Sequence, residues 1–376
     1  MDEAHHEISL LRQTIARIDK TILSLVRKRL DTARKIGEQK KLAGAAIRDF
    51  TTEAKLIERT EKICREIGID TELGKSLIKI LFEGSIKTQH DIIESHSRGV
   101  HKKILIVGGA GRMGQWLASF LKNQGHHVYI HDISPLKPEG YHIVENLESG
   151  SKESDIIILS TPMSSSAGIL DNIINTGTHA VIMDICSLKS PVYSTILKGA
   201  GEGRKIASIH PMFAPGALML SGRILVICDC GNKTAVEEAK NLFKNTALRI
   251  VNMPLELHDR LMSVVLGMCH ALNVGFINAL SKTGITFNDL DTVSSTTFYK
   301  QMKTTADVAL ENPELYYEIQ HLNAHTEKTM DILIESFKEI KTASLEDGHE
   351  KFLEIMNKGR NFFGIPEKIT PDAVVD

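Results

Sequence analysis

Apolar residues in the first part of the chain recur at Ile8, Leu11, Ile15, Ile18, Ile22 and Leu25. The steps alternate between three and four, the spacing of one helical face. Gly is absent before Gly37 and Pro is absent from the whole stretch, so the pattern predicts one helix from Ile8 to about Leu42. About 35 residues at 1.5 Å each reach roughly 50 Å. A domain of about 100 residues has a radius of gyration of only roughly 13 Å. Such a helix cannot be covered by its own short segment, and a second copy of the chain is the simplest cover. Glu53–Ile67 predicts a second helix ended by Gly68, and Asp70 or Thr71 caps a third running to about Ile93. Residues 1–95 therefore read as an all-helical, homodimeric segment.

After the polar link Ser95–Lys102 the period changes. Short β-branched runs at Ile104–Val107, Val128–Ile130, Ile156–Ser160, Ala180–Asp184, Lys205–Ile209 and Ile224–Cys228 alternate with helical stretches. That alternation predicts a parallel sheet with helices on both faces over residues 96–253. From Pro254 the helical period returns at Leu257–Lys282, Asn288–Leu310, Pro313–Lys341 and Leu345–Asn361, so 254–376 reads as a second all-helical domain.

Composition narrows the function classes. The chain has 376 residues, 42% hydrophobic and 24% charged, with a net charge of -2. That is an ordinary globular composition, long enough for two or three domains. It offers no basic patch for nucleic acid. No apolar stretch reads as long enough to span a bilayer, and the charged N-terminus does not read as a secretory signal. The five Cys are scattered, an odd number that argues against a disulfide framework and for a reducing cytoplasm. No metal-ligand spacing is evident.

The strongest local signal is KKILIVGGAGRMGQWLASFL. Gly109, Gly111 and Gly114 stand between a strand and a helix, and a second strand ends at Asp132. Gly109 is expected to permit the tight turn, Gly111 to admit a pyrophosphate, and Gly114 to let helix and strand pack closely. The helix start, Arg112 and Met113, would face the phosphates. Asp132 would accept hydrogen bonds from a ribose 2′-OH and repel a 2′-phosphate, which favours NAD over NADP. Thr161 ends a neighbouring strand at the same edge. The domain thus reads as Rossmann-type.

In the first segment, continuing the apolar seam past Leu25 reaches Arg29, and after Ile36 it reaches Lys40. In the third helix Ile78 and Leu81 are followed on their stripe by Ser85 and Gln89. Cations on a buried stripe are costly unless an anion meets them. Taken alone, the pattern also fits interhelical salt bridging. Together the two stripes suggest a wet cationic pocket for a small dicarboxylate. The segment resembles the all-helical chorismate mutases at the N-termini of bifunctional aromatic-biosynthesis enzymes, through LLRQTIARID, VRKRLDTARKIGEQK, IRDFTTE and LFEGSIKTQ. The resemblance implies that Arg29, with Arg12 from the partner subunit, holds the carboxylates of chorismate, and that Ser85 assists. It implies that Lys40 and Gln89 bind the ether oxygen and that Asp49 and Glu53 hold the ring hydroxyl. Thr52 stands where the family often has Arg, which is expected to weaken the site.

Downstream, SIHPMFAPGA puts His210 at the carboxyl edge of the sheet, and MDICSLKS puts Ser187 and Lys189 there too. His258-Asp259 and His270 fall on one predicted helix, twelve residues apart and roughly on one face. These residues and FLEIMNKGRNFFG resemble the prephenate dehydrogenase family. The two resemblances together indicate a bifunctional chorismate mutase/prephenate dehydrogenase of tyrosine biosynthesis. They imply that His210 accepts a hydrogen bond from the C4 hydroxyl of prephenate, that Ser187 orients it, and that His270 lines the pocket. The family's Arg for the side-chain carboxylate is replaced by Asp307, with Lys300, Lys303 or Arg260 as candidate substitutes. The alternative is a dehydrogenase for arogenate or 4-amino-4-deoxyprephenate with a weak or regulatory mutase segment.

Overall fold

The computed structural model describes residues 2–43, 50–90, 101–135, 138–217, 220, 222–244, 246, 248–345 and 347–364. The side chains of 2–4, 41–43, 50–54, 83, 86, 87, 89 and 90 also lie outside it. The chain divides into two compact units, Met1–Leu255 and Glu256–Asp376.

The first unit opens with α1 (Asp2–Ala43), α2 (Phe50–Ile67) and α3 (Thr71–His90). Gly68, at φ 71°, ends α2 in a conformation that side-chain-bearing residues resist. Asp70 Oδ2 then accepts the Leu73 amide at 2.7 Å and caps α3. The predicted run of this helix to Ile93 falls outside the described residues. α2 and α3 meet closely at Gly74, where a Cβ would lie 2.1 Å from Cys64 Sγ. The carboxyl half of α1 packs on α3, burying Ala33. The amino half is bare: Leu11 and Ile15 keep 58–59% of their surface exposed, as does Leu25 just past the middle.

Next come β1 (Lys103–Val107), α4 (Arg112–Asn123), β2 (His127–His131), β3 (His142–Ile143), α5 (Leu147–Glu153), β4 (Ile156–Leu159), α6 (Met163–Asn175) and β5 (Val181–Asp184). They are followed by α7 (Tyr193–Gly201), β6 (Ile206–Pro211), β7 (Ile224–Asp229), α8 (Lys233–Phe243) and β8 (Arg249–Pro254). The sheet order is β3-β2-β1-β4-β5-β6-β7-β8. Pairing is parallel from β3 to β6, and β1, β4, β5 and β6 are buried along almost their whole length, as a sheet covered on both faces requires. The fully parallel sheet expected from the alternation needs one correction: β6 and β7 are antiparallel, with no helix between them among the described residues and a short return of the chain. Strands β3 and β8 escaped the sequence reading. β3 is two residues long, and β8 carries no more than half-buried side chains.

The second unit contains α9 (Leu255–Met262), a π-helical stretch (Ser263–Met268), α10 (Cys269–Lys282), α11 (Phe287–Thr292), α12 (Thr296–Ala309), α13 (Pro313–His321), α14 (Thr326–Leu345) and α15 (His349–Phe362). Two predicted long helices are interrupted by local side-chain caps. Ser295 Oγ accepts the Phe298 amide at 3.2 Å and starts α12 afresh. Asn323 Oδ1 accepts the His325 amide at 2.9 Å between α13 and α14. The continuous run Leu255–Lys282 is long and apolar enough, by composition alone, to cross a membrane. The expectation that no stretch reaches that length is therefore corrected. Val264, Val265 and Val274 on this run are half exposed.

Candidate active sites

At the carboxyl end of β1 the chain turns at Gly108, φ 81°, whose amide donates to His131 O at 2.8 Å. A Cβ on Gly108 would lie 2.4 Å from Ser160 O, so β1 and the end of β4 approach closely. The tight turn assigned to Gly109 thus belongs to Gly108. Gly109 is glycine for another reason, since its Cβ would lie 2.6 Å from Ile130 Cγ2. At Gly114 a Cβ would stand 2.3 Å from Gly108 O, so the start of α4 lies against the turn too closely for a side chain. Gly111 begins α4 with φ −67° and no side-chain cap, leaving the first helical amides without a capping side chain. Arg112 is exposed beside it and Met113 is half-buried against the core.

β1 leads through α4 to β2 on one side, and β4 leads through α6 to β5 on the other. The gap between β1 and β4 is the switch point where open α/β sheets bind nucleotides. Asp132 borders it. Its Oδ2 accepts the Ala110 amide and its Oδ1 the Ser134 amide, each at 2.8 Å, so the carboxylate closes the glycine loop besides offering lone pairs to a ribose. Across the gap Thr161 Oγ1 and Ser166 Oγ are 2.8 Å apart. A glycine cradle, an uncapped helix start and an acidic residue fit a dinucleotide without a 2′-phosphate.

His210 is the penultimate residue of β6 and is buried. The loop after it is held from α4: Trp116 Nε1 donates to Ala217 O at 3.1 Å, and its ring meets Phe213 edge-on at 5.2 Å. The cradle helix and the His210 loop are thereby joined. Ser187 is half-buried in the turn after β5, between Cys186 and Lys189. Lys189 is buried, with its ammonium on Asp184 Oδ1, Cys186 O and Ile209 O, each at 2.8 Å. Burial opposes that charge, yet Asp184 leads the groups that outweigh it, and the Lys189 pKa stands above its ordinary value. Burial first, then Asp184, pushes the Cys186 thiol up to about 12, which keeps it protonated and unreactive.

In the helical segment Arg29 reaches from α1 to α3, where its guanidinium donates to Ser85 Oγ and to Leu81 O. Ser85 is buried and in turn donates to Leu81 O at 2.9 Å. Partial burial lowers the Arg29 pKa, though a guanidinium stays charged. Lys40 is half-buried on the same helix, while Arg12 is exposed on the bare half. The Asp49 expectation lies outside the described residues, as do the side chains of Thr52, Glu53 and Gln89.

In the second unit His258 is fully buried and its Nδ1 lies 2.6 Å from Asp259 Oδ1. Asn323 Nδ2 donates to Asp259 O at 3.0 Å, and Gln320 Nε2 donates to Gly267 O, a carbonyl of the π stretch, at 2.8 Å. The π stretch lies between His258 and His270 and winds more slowly than an α-helix. It removes part of the third of a turn that would separate them. The half-buried His270 ring stacks on Tyr316 at 4.2 Å, and burial lowers its pKa. Burial, then Glu311, Cys269 and Asp307, raises the Tyr316 pKa, so acidic groups border this pair. Asp307, Lys300, Lys303 and Arg260 are all exposed.

In the sequence Lys189 has a place but no role, and Gly108 and Tyr316 do not stand out. The double glycine at 108–109 was the available signal for Gly108. Nothing in the sequence pointed to the Tyr316–His270 stack, because it joins two helices.

Three family models match: chorismate mutase type II over residues 11–90, the prephenate dehydrogenase nucleotide-binding domain over 117–252, and the prephenate dehydrogenase dimerization domain over 254–358. A probable arogenate/prephenate dehydrogenase of Methanocaldococcus jannaschii is 24% identical over 70% of this chain and 62% of its own length. The T-protein of Enterobacter agglomerans is 22% identical over 95% of this chain and 93% of its own. In fold, the crystal structure of prephenate dehydrogenase from A. aeolicus, in complex with hydroxyphenyl propionate and NAD+, covers 71% of this chain and 99% of that one, with a TM-score of 0.59 and 18% identity. With an isomerase domain followed by both domains of an oxidoreductase, and T-protein similarity along nearly its whole length, the chain belongs to the bifunctional chorismate mutase/prephenate dehydrogenases.

Proposed function

We propose that the chain rearranges chorismate to prephenate in its helical segment, then oxidises prephenate to 4-hydroxyphenylpyruvate and CO2 with NAD. The observation that carries the redox half is the glycine cradle at the β1–β4 switch point with His210 near the carboxyl end of β6 in the same sheet. Gly109, Gly111, Gly114, Arg112, Met113, Asp132 and Thr161 border the cofactor's place. Bound NAD supplies the hydride acceptor for C4 of prephenate. A neutral His210 imidazole accepts the hydrogen bond of the C4 hydroxyl as that carbon gives up its hydride. Ser187 orients the hydroxyl or the imidazole, and His270 lines the substrate pocket.

The mutase half is a pericyclic step in which an ether C–O bond breaks as a C–C bond forms. It needs no nucleophile. Arg29, braced by Ser85, holds a carboxylate. Lys40 and Gln89 meet the ether oxygen as its negative charge grows, while Asp49 and Glu53 hold the ring hydroxyl. Arg12 enters from a second copy, in keeping with its exposed place beside the bare stripe of α1. That stripe and the dimerization-domain match support a homodimer. The five free thiols support a cytoplasmic enzyme.

Asp307 with Glu311, both acting on Tyr316 beside His270, favours a second reading in which the side chain of the substrate bears an amine, as in arogenate. Assaying prephenate with NAD in wild type and in His210→Asn tests the main reading. A wild-type chain that produces NADH and CO2, and a variant at least about 10²-fold slower, is the expected result. Equal rates would remove His210 from the reaction.

A further inference from the structure

β5 ends at Asp184, whereas β6 continues to Pro211. The parallel register sets Ile182 opposite Ile206 and Asp184 opposite Ser208, and the Ile182 amide donates to Lys205 O at 2.8 Å. Carbonyls facing one neighbour recur at every second residue of a strand, so those of Lys205, Ala207 and Ile209 face β5. β5 has stopped before it can serve Ile209. The amide a longer strand would offer there is that of Cys186, and it has turned back to Asp184 Oδ1 at 3.0 Å. The Lys189 ammonium occupies the missing rung. It donates to Ile209 O, the carbonyl immediately before His210, and to Cys186 O and Asp184 Oδ1, all at 2.8 Å.

We propose that Lys189 is a positioning residue for the dehydrogenase reaction: one buried ammonium ties the strand that carries His210 to the turn that carries Ser187. The inference rests on the roles of His210 and Ser187 proposed above. The turn from Cys186 to Lys189 is closed by Lys189 itself, so Ser187 cannot shift without pulling on Ile209. Asp184 keeps the ammonium charged and in place, while the side-chain contact with Ile209 O is made by Lys189.

A plain stabilising ion pair behaves differently from such a brace. Removing one member of a buried pair leaves an uncompensated charge, whereas removing both is often tolerated. Lys189→Met, Asp184→Asn and the double variant in the full chain separate the two cases. Melting temperature, kcat and KM for prephenate, and hydrogen exchange of the segment from His210 to Phe213 are measured in each.

Lys189→Met is expected to melt lower and lose about 10²-fold in kcat, the scale of a displaced catalytic group, with little change in KM. The double variant regains most of its melting temperature but not its kcat, and exchange beside His210 stays faster than in wild type. Asp184→Asn, which retains a donor for Ile209 O, loses less kcat than Lys189→Met. Recovery of kcat together with melting temperature in the double variant would overturn the proposal, as would unchanged exchange in that segment. A wild-type chain inactive on prephenate with NAD would instead sink the assigned reaction, and the exchange comparison would still decide whether the brace exists.

Discussion

The Arg29 guanidinium of α1 donates to the Ser85 hydroxyl of α3 within the helical segment. The two residues lie 56 positions apart in sequence, yet each occupies a place on its helix where the apolar stripe would otherwise continue. A cation drawn onto a buried hydroxyl and a helical carbonyl is a poor source of stability. It is well suited to receive an anionic ligand.

Arg29→Ala is therefore expected to cut mutase kcat/KM by about 10²–10³-fold, the cost of one preorganised donor to developing or bound negative charge. Turnover of prephenate by the same variant should stay within about twofold, since the residue belongs to the other reaction. Ser85→Ala, which leaves the guanidinium in place, should lose about tenfold or less. Chorismate disappearance and NADH formation, followed separately, give both numbers. Parallel loss of the two activities would mean that Arg29 supports the chain as a whole.

Two glycines in the cradle predict opposite behaviour. At Gly114 a Cβ meets backbone at 2.3 Å, so Gly114→Ala should lower the melting temperature and weaken NAD together. At Gly111 the nearest obstacle, Gly108 O, is 3.3 Å away and φ is −67°. Gly111→Ala should melt close to wild type yet raise KM for NAD by tenfold or more, about 1.4 kcal/mol, because the methyl intrudes on the pyrophosphate. Isothermal titration with NAD beside thermal melts distinguishes them. A Gly111→Ala chain with normal NAD affinity would move the phosphates elsewhere.

His270 makes a prediction about pH. Burial lowers its folded pKa, so the unfolded chain takes up the proton first. The stability it contributes is present above the ordinary His value of about 6.5 and is lost as pH falls from there through the lower folded value. His270→Asn should flatten that part of the melting profile. A slope identical to wild type between neutral and mildly acid pH would show that His270 is protonated alike in both states.

Asp307 tests substrate choice. Asp307→Arg should lower KM for prephenate by about tenfold, the worth of a charge-assisted pair, and raise KM for arogenate. Kinetics with the two substrates side by side decide this, and unchanged ratios would place Asp307 outside the pocket.

Much of this was legible from periodicity alone. The three N-terminal helices, six of the eight strands and the glycine turn all rest on local patterns that the sheet and helices preserve. What escaped depended on tertiary partners. The antiparallel return of β7 is set by a short connection, and β3 is held by only two residue pairs with β2. The π stretch is steadied by Gln320 from a distant helix. Lys189 was visible as a residue near the carboxyl edge. Its task was not, because it depends on β5 stopping one rung short of Ile209.

If one chain carries out both reactions in sequence, chorismate passes through prephenate to 4-hydroxyphenylpyruvate on the same protein. Full-length protein given chorismate and NAD, with products separated by chromatography, tests it directly. Wild type is expected to give 4-hydroxyphenylpyruvate, CO2 and NADH in equal amounts, His210→Asn to accumulate prephenate, and Arg29→Ala to leave most of the chorismate unconverted. Chorismate left unconverted by wild type, or prephenate accumulating without NADH, would contradict it.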